Sequence, residues 1–167
     1  NDFFILNRYK YILEFFNMRI ALFQPDIPQN TGNIIRLCSC FNIPIDIIEP
    51  AGFFFSDKKL SRSSMDYFNN VKLKRHLDWE NFYVWSKKNQ FNLILLTTKA
   101  KQKYFKYKFN KKDILLFGRE SSGVPNNIHK TATKRLVIPM KKGMRSLNIS
   151  SAVAIVVGEA LIQLKQI

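Results

Sequence analysis

Three short stretches of this chain are apolar almost without interruption: NLILLTT at 92–98, ILLFG at 114–118 and LVIPM at 136–140. A strand with one wet face alternates apolar and polar residues. One that is apolar throughout has both faces covered, as in a parallel sheet with helices on either side. These runs are too short for buried helices and are bounded by Thr, Gly and Pro, so they read as strands. Residues 18–23 (MRIALF) and 45–48 (IDII) are further β-rich runs, and 71–75 is a weaker strand of alternating charge.

Helices are predicted between them. One covers 34–41, where Asn30-Thr31-Gly32-Asn33 offers capping groups. A second runs from Ser56 or Asp57 to about Tyr67. A third covers 78–88, with Trp79, Phe82 and Trp85 at helical spacing as core residues, and a last one, 149–165, has AVAIVV at its centre. Strand and helix in alternation predict an α/β fold, a mostly parallel sheet flanked by helices. No internal repeat or linker divides residues 18–167, which read as a single domain. Residues 1–17 read as a peripheral N-terminal extension upstream of a natural start at Met18. Asp2, Arg8, Lys10 and Glu14 interrupt its apolar residues, so it has no secretory core.

Composition narrows the partners. The 167 residues include 27 Lys+Arg and 12 Asp+Glu, a formal charge of +15, which favours a polyanion and nucleic acid first. A hydrophobic content of 46% excludes a disordered polymer. The longest apolar stretch, 152–157, falls far short of the roughly 18 residues of a membrane span, so no membrane partner is expected and the cytoplasm is the simplest compartment. Cys38 and Cys40 face apart on a helix, and with His76 and His129 they form no zinc spacing; no metal is expected.

The charge is concentrated. Residues 99–145 hold fourteen Lys/Arg and two acids, Asp113 and Glu120. Within them, KAKQKYFKYKFNKK at 99–112 carries seven lysines, no acid, and Tyr104, Phe105, Tyr107 and Phe109. Lysines neutralise phosphates and exposed rings stack on unpaired bases. The alternative is a solvated face whose aromatics point inward.

Three loops carry candidate chemistry. In Pro25–Arg36 (PDIPQNTGNIIR), a helix N-terminus offers amides to an anion and Gly32 permits close approach. Arg36 in the first turns of that helix is ill placed for the dipole, which suggests an external anion. Gly118-Arg119-Glu120-Ser121-Ser122-Gly123 directly follows a buried strand, the place of the ligand crevice in open α/β sheets. No G-x-G-x-x-G occurs, so a dinucleotide fingerprint is absent. The third loop, 138–152, ends a strand at Ile138-Pro139-Met140 and places Ser146, Asn148, Ser150 and Ser151 before the last helix.

Taken in order, N-x-G-x-x-x-R, G-x-E-x-x-G and I-P-M…S-L-N-x-S resemble the three motifs of the SpoU branch of the SPOUT RNA methyltransferases, over about residues 18–164. The opening IALFQPDIPQNTGNIIRLC, with DIIEPAGF and LLTTKA, is similar to the single-domain TrmL type, the tRNA (cytidine/uridine-34-2′-O)-methyltransferases. The resemblance implies a C-terminal trefoil knot, an exception among folds, and S-adenosylmethionine held by Leu96, Gly118, Ile138 and Ser146. It implies methyl transfer to a ribose 2′-hydroxyl in the anticodon region of tRNA, with Arg36, Asn30, Glu120, Ser146 and Asn148 as catalytic-site residues. It also implies a homodimer whose active site is completed across the interface. Arg36 matches the arginine at the reacting ribose; because a guanidinium keeps its proton, it suits an electrostatic role. Gly158, where relatives often carry an aromatic residue, departs from the pattern, as do the basic run and the extension. The competing readings are 2′-O-methylation of rRNA or another tRNA position, and a catalytically silent RNA-binding protein.

Overall fold

The structure, a computed structural model, describes residues 18–54 and 65–167. Seven strands form one sheet: β1 (Arg19–Phe23), β2 (Ile45–Ile48), β3 (Leu73–His76), β4 (Asn92–Leu96), β5 (Gln102–Lys103), β6 (Asp113–Phe117) and β7 (Lys134–Val137). Their order is β3-β2-β1-β6-β4-β7-β5, and every pairing is parallel. The described helices are α1 (Pro28–Cys40), α2 (Trp79–Lys88), α3 (Asn126–Thr131) and α4 (Ile149–Gln163), with 3₁₀ turns at Met65–Asn70 and Tyr104–Lys106.

The unbroken apolarity of the central strands has the cause the sequence implies. Leu115 and Phe117 of β6 join Ile34, Ile35 and Cys38 of α1 and Val153, Val156 and Val157 of α4 in one core. Ile114 and Leu116 of the same strand join Phe82 of α2 and Ile128 of α3 in a second core on the other face. Each fully buried Leu or Ile contributes roughly 1.5–3 kcal/mol, which only a two-sided cover can supply to consecutive residues. Cys38 is buried in the first core and Cys40 is exposed. Trp79 and Trp85 pack beside Phe82 in the second.

The one buried acid in β2 is neutralised locally. Asp46 accepts from Arg19 Nε at 2.6 Å and lies 2.8 Å from His76 Nε2. An unpaired carboxylate there would cost several kcal/mol, on the order of the penalty per buried ion.

Several boundaries differ from the sequence reading. Helix α1 begins at Pro28, not Ile34, and its N-cap, Ile27, makes no side-chain cap bond. Proline suits the first helical position because its φ is preset and its missing N–H is not needed there. Asn30, Thr31 and Gly32 are therefore buried helical residues rather than a capping loop. Thr31 satisfies its hydroxyl on the Ile27 carbonyl at 3.3 Å. Arg36 accordingly lies beyond the first turns of α1, and the dipole argument for it falls.

Strand β7 stops at Val137, short of Pro139, which cannot donate to a ladder. Helix α3, strand β5 and the turn at 104–106 were not foreseen. The segment 1–17, most of the helix assigned from Ser56 to Tyr67, and Asp57 lie outside the described residues. Among the described residues no helix is long and apolar enough to cross a membrane.

Candidate active site

Strand order creates the site. Strand β6 inserts between β1 and β4, and β7 between β4 and β5. The register pairs Leu96 with both Phe117 and Leu136, so β4, β6 and β7 release their loops side by side. Such a cluster of strand ends is where open α/β sheets bind ligands. A cavity of about 570 Å³ opens there, lined by Leu95, Leu96 and Thr97 at the end of β4, Gly118 to Val124 after β6, and Ile138 after β7. The N-terminal ends of α1 (Ile27, Asn30) and α4 (Asn148, Ile149) close it.

The loop after β6 is folded back on itself. Arg119 N donates to Gly123 O at 3.0 Å and Gly123 N to Arg119 O at 2.9 Å. A Cβ on Gly118 would lie 2.5 Å from the carbonyl carbon of Gly123, and Gly123 itself sits at φ +70°. Both glycines are therefore required, one by space and one by backbone conformation.

This hairpin directs Glu120 back toward α1. One carboxylate oxygen accepts from Asp26 N at 2.9 Å and the other from Asn30 Nδ2 at 3.2 Å. Asn30 Oδ1 in turn accepts from Asn148 Nδ2 at 2.9 Å. Asn148 caps α4, its Oδ1 accepting from Ser150 N at 2.9 Å and Ser150 Oγ at 2.6 Å. A single polar chain, α4–Asn148–Asn30–Glu120, thus joins three segments up to 118 residues apart.

A second clasp runs beside it. Arg119 donates to Asp26 Oδ1 from Nε at 3.0 Å and Nη2 at 2.6 Å, while Ser121 Oγ donates to Asp26 Oδ2 at 2.6 Å. Burial raises the Asp26 pKa, but the bonds from Arg119 and Ser121 outweigh it and hold the group below the usual carboxylate range. His129 also lines the cavity, and burial followed by the charges of Lys99 and Arg135 lowers its pKa, favouring the neutral ring.

Of the residues singled out from sequence, Asn30, Leu96, Gly118, Glu120, Ile138, Ser146 and Asn148 all line this cavity. Arg36 does not. It is six residues beyond Asn30 on α1, about 9 Å along the axis, exposed, with its guanidinium 5.1 Å from the Tyr67 ring centroid. Sequence reasoning passed over Asp26, Arg119, Ser121 and His129. The first three lie within motif loops but pair across more than ninety residues, a link that no local spacing reveals.

Comparison with known proteins identifies the family. The profile of the SpoU rRNA Methylase family matches residues 17–158. A tRNA (cytidine(34)-2′-O)-methyltransferase of Beijerinckia indica is 50% identical over 144 residues, covering 86% of this chain and 90% of the relative. The enzyme of that name from Escherichia coli K12 is 40% identical over 149 residues, covering 88% and 94%. A solved structure described as giving structural insights into the 2-OH methylation of C/U34 on tRNA superimposes with a TM-score of 0.84 at 33% identity, covering 89% and 96%. With the profile spanning the whole described sheet, α1 and most of α4, the chain belongs to the SpoU rRNA Methylase family.

Proposed function

We propose that this protein is a tRNA methyltransferase that uses S-adenosylmethionine to methylate the ribose 2′-hydroxyl at the wobble position, nucleotide 34. The observation that carries the reading is the convergence of seven motif residues on one cavity at the ends of β4, β6 and β7, in a chain 50% identical to an enzyme named for that reaction.

The cavity suits the cofactor. Its volume of about 570 Å³ lies within the usual range for small-molecule sites, and its lining combines apolar Leu95, Leu96 and Ile138 with polar Ser146 and Asn148. Leu96, Gly118, Ile138 and Ser146 would hold it, and the glycine at 118 leaves the backbone bare where the loop turns. S-adenosylmethionine, when bound, supplies an electrophilic methyl group that needs no metal. The chain then has to orient a ribose and manage one proton. Asn30 bonds to both Glu120 and Asn148, so the three fix the cavity wall without waiting for substrate. That pre-organisation avoids a reorganisation cost during reaction.

Arg36 stands outside the cavity of its own chain, which fits a homodimer in which it serves the cavity of a second copy. There its guanidinium would stabilise the developing alkoxide or clamp the adjoining phosphate. The interleaved insertion of β6 and β7 supports the trefoil knot as the scaffold of these loops. The tRNA reading fits a cytoplasmic enzyme.

The test is methyl transfer to total tRNA with the modified nucleotide mapped by mass spectrometry. Methylation at position 34 is expected; labelling elsewhere, or none, overturns the reading. Arg36→Ala should lower transfer roughly a hundredfold or more with calorimetric S-adenosylmethionine affinity unchanged, and normal turnover would remove its assigned role.

A further inference from the structure

The lysine-rich segment 99–112 resolves into two sides. Phe109 is 4% exposed, and Tyr104 and Tyr107 pack against the main core, so three of its four aromatics are structural. Phe105 is the exception at 44% exposed. It sits in the 3₁₀ turn Tyr104–Lys106, its ring edge-on to Tyr104 with centroids 5.4 Å apart and Lys103 Nζ 5.9 Å from its centroid.

The turn is anchored. Tyr107 N donates to Tyr104 O at 3.1 Å. Gln163 of α4 then grips the outgoing chain twice, Nε2 donating to Tyr107 O at 3.1 Å and Oε1 accepting from Phe109 N at 3.0 Å. Phe105 is therefore presented on a fixed platform.

Lys99, Lys101, Lys103, Lys106 and Lys108 are all exposed, and none forms an ion pair with a carboxylate among the described residues. The two acids of the region are withdrawn: Asp113, the first residue of β6, is buried, and Glu120 is bonded to Asn30. A like-charged strip without internal counter-charge repels itself and calls for an external polyanion. The strip also leads somewhere. Lys99 lines the active-site cavity, and from it the chain runs to β5, an edge strand that among the described residues pairs only with β7.

We infer that this edge is an RNA track: Lys101, Lys103 and Lys106 hold backbone phosphates of the substrate, and Phe105 stacks on an unpaired base near the target nucleotide. The inference rests on the tRNA reading above and deepens it, by naming a surface that feeds the cavity. A polyanion alone would be served by the lysines; the exposed ring among them adds the π-face that separates single-stranded RNA from an anionic lipid surface.

The experiment measures binding of an anticodon stem-loop to the full chain over a range of KCl concentrations, alongside methyl transfer by the wild type. Phe105→Ala should weaken binding about tenfold without altering the salt slope, and Phe105→Trp should restore it. The triple variant Lys101→Ser, Lys103→Ser, Lys106→Ser should make the log–log salt slope shallower by about 2, at roughly 0.7 per phosphate on a single strand. Binding by the Phe105→Ala variant equal to wild type, or a loss that Trp does not restore, overturns the stacking platform. An unchanged slope overturns the track, as does lysine-dependent binding to phosphatidylserine vesicles with none to RNA. If the wild type transfers no methyl group to tRNA while the three variants still behave as stated, the enzymatic reading fails and this surface stands.

Discussion

Single residues fix the hairpin after β6. At Gly118 even a methyl group would meet the Gly123 carbonyl carbon at 2.5 Å and its Cα at 2.7 Å, both main-chain atoms that cannot step aside. Gly118→Ala should cost about 1–3 kcal/mol through overpacking and lower S-adenosylmethionine affinity at least severalfold, because Gly118 is itself one of the residues proposed to hold the cofactor. Thermal melts and calorimetry would show both; unchanged affinity would separate the hairpin from the cofactor. The acids of the molecule differ in sign. Burial raises the Asp113 pKa above 3.8, and the bonds from Asn110, Asn92 and Tyr107 do not offset it. A carboxyl raised in the folded state binds its proton more tightly there. Its cost to stability is therefore present at neutral pH and relieved as pH falls through the folded-state value toward 3.8. The stability of wild type relative to Asp113→Asn should thus rise on acidification from neutral toward that limit, as read from urea titrations at successive pH values. Asp26, held low, contributes the opposite way: its stabilisation is complete above 3.8 and is lost as acid protonates it. The identity of these residues was legible in the sequence; their partners were not.

At the scale of elements, α4 is the informative case. It buries Val153, Val156, Val157, Ala160 and Leu161, yet Ile155 remains 40% and Ile162 62% exposed, with Gly158 between them and exposed Ala154 just before. A helix apolar all round is ordinarily covered all round, and here the chain covers one side. An added Cβ at Gly158 would meet nothing within 4 Å, so the small residue leaves room for a partner helix. In the proposed homodimer this face would meet a second copy, so Ile155→Lys with Ile162→Lys should leave a folded monomer in sedimentation velocity; an unchanged mass would place the interface elsewhere. The sequence showed AVAIVV as a helix core because apolarity is written residue by residue. The lysine run shows the converse. Tyr104, Phe105, Tyr107 and Phe109 look alike in sequence, and only the approach of α4 and its Gln163 turns three of them inward.

Across the whole molecule, the sequence determined a two-sided parallel sheet, the sites of its loops and the family motifs they carry. Apolar runs, proline breaks and glycine pairs act locally, so their consequences can be read locally. Even there α1 starts six residues earlier than read, because Asn30 bonds to Glu120 and Asn148 and Thr31 to the Ile27 carbonyl instead of serving as caps. Tertiary structure alone decided that β6 enters between β1 and β4, that Asp26 meets Arg119, and that Asn148 reaches Asn30. It also left Arg36 outside the cavity that the other motif residues share. The physical reason is that a contact between segments ninety or more residues apart depends on the closure of every loop between them. That closure is set by the packing of the whole chain, and no short stretch of sequence contains it.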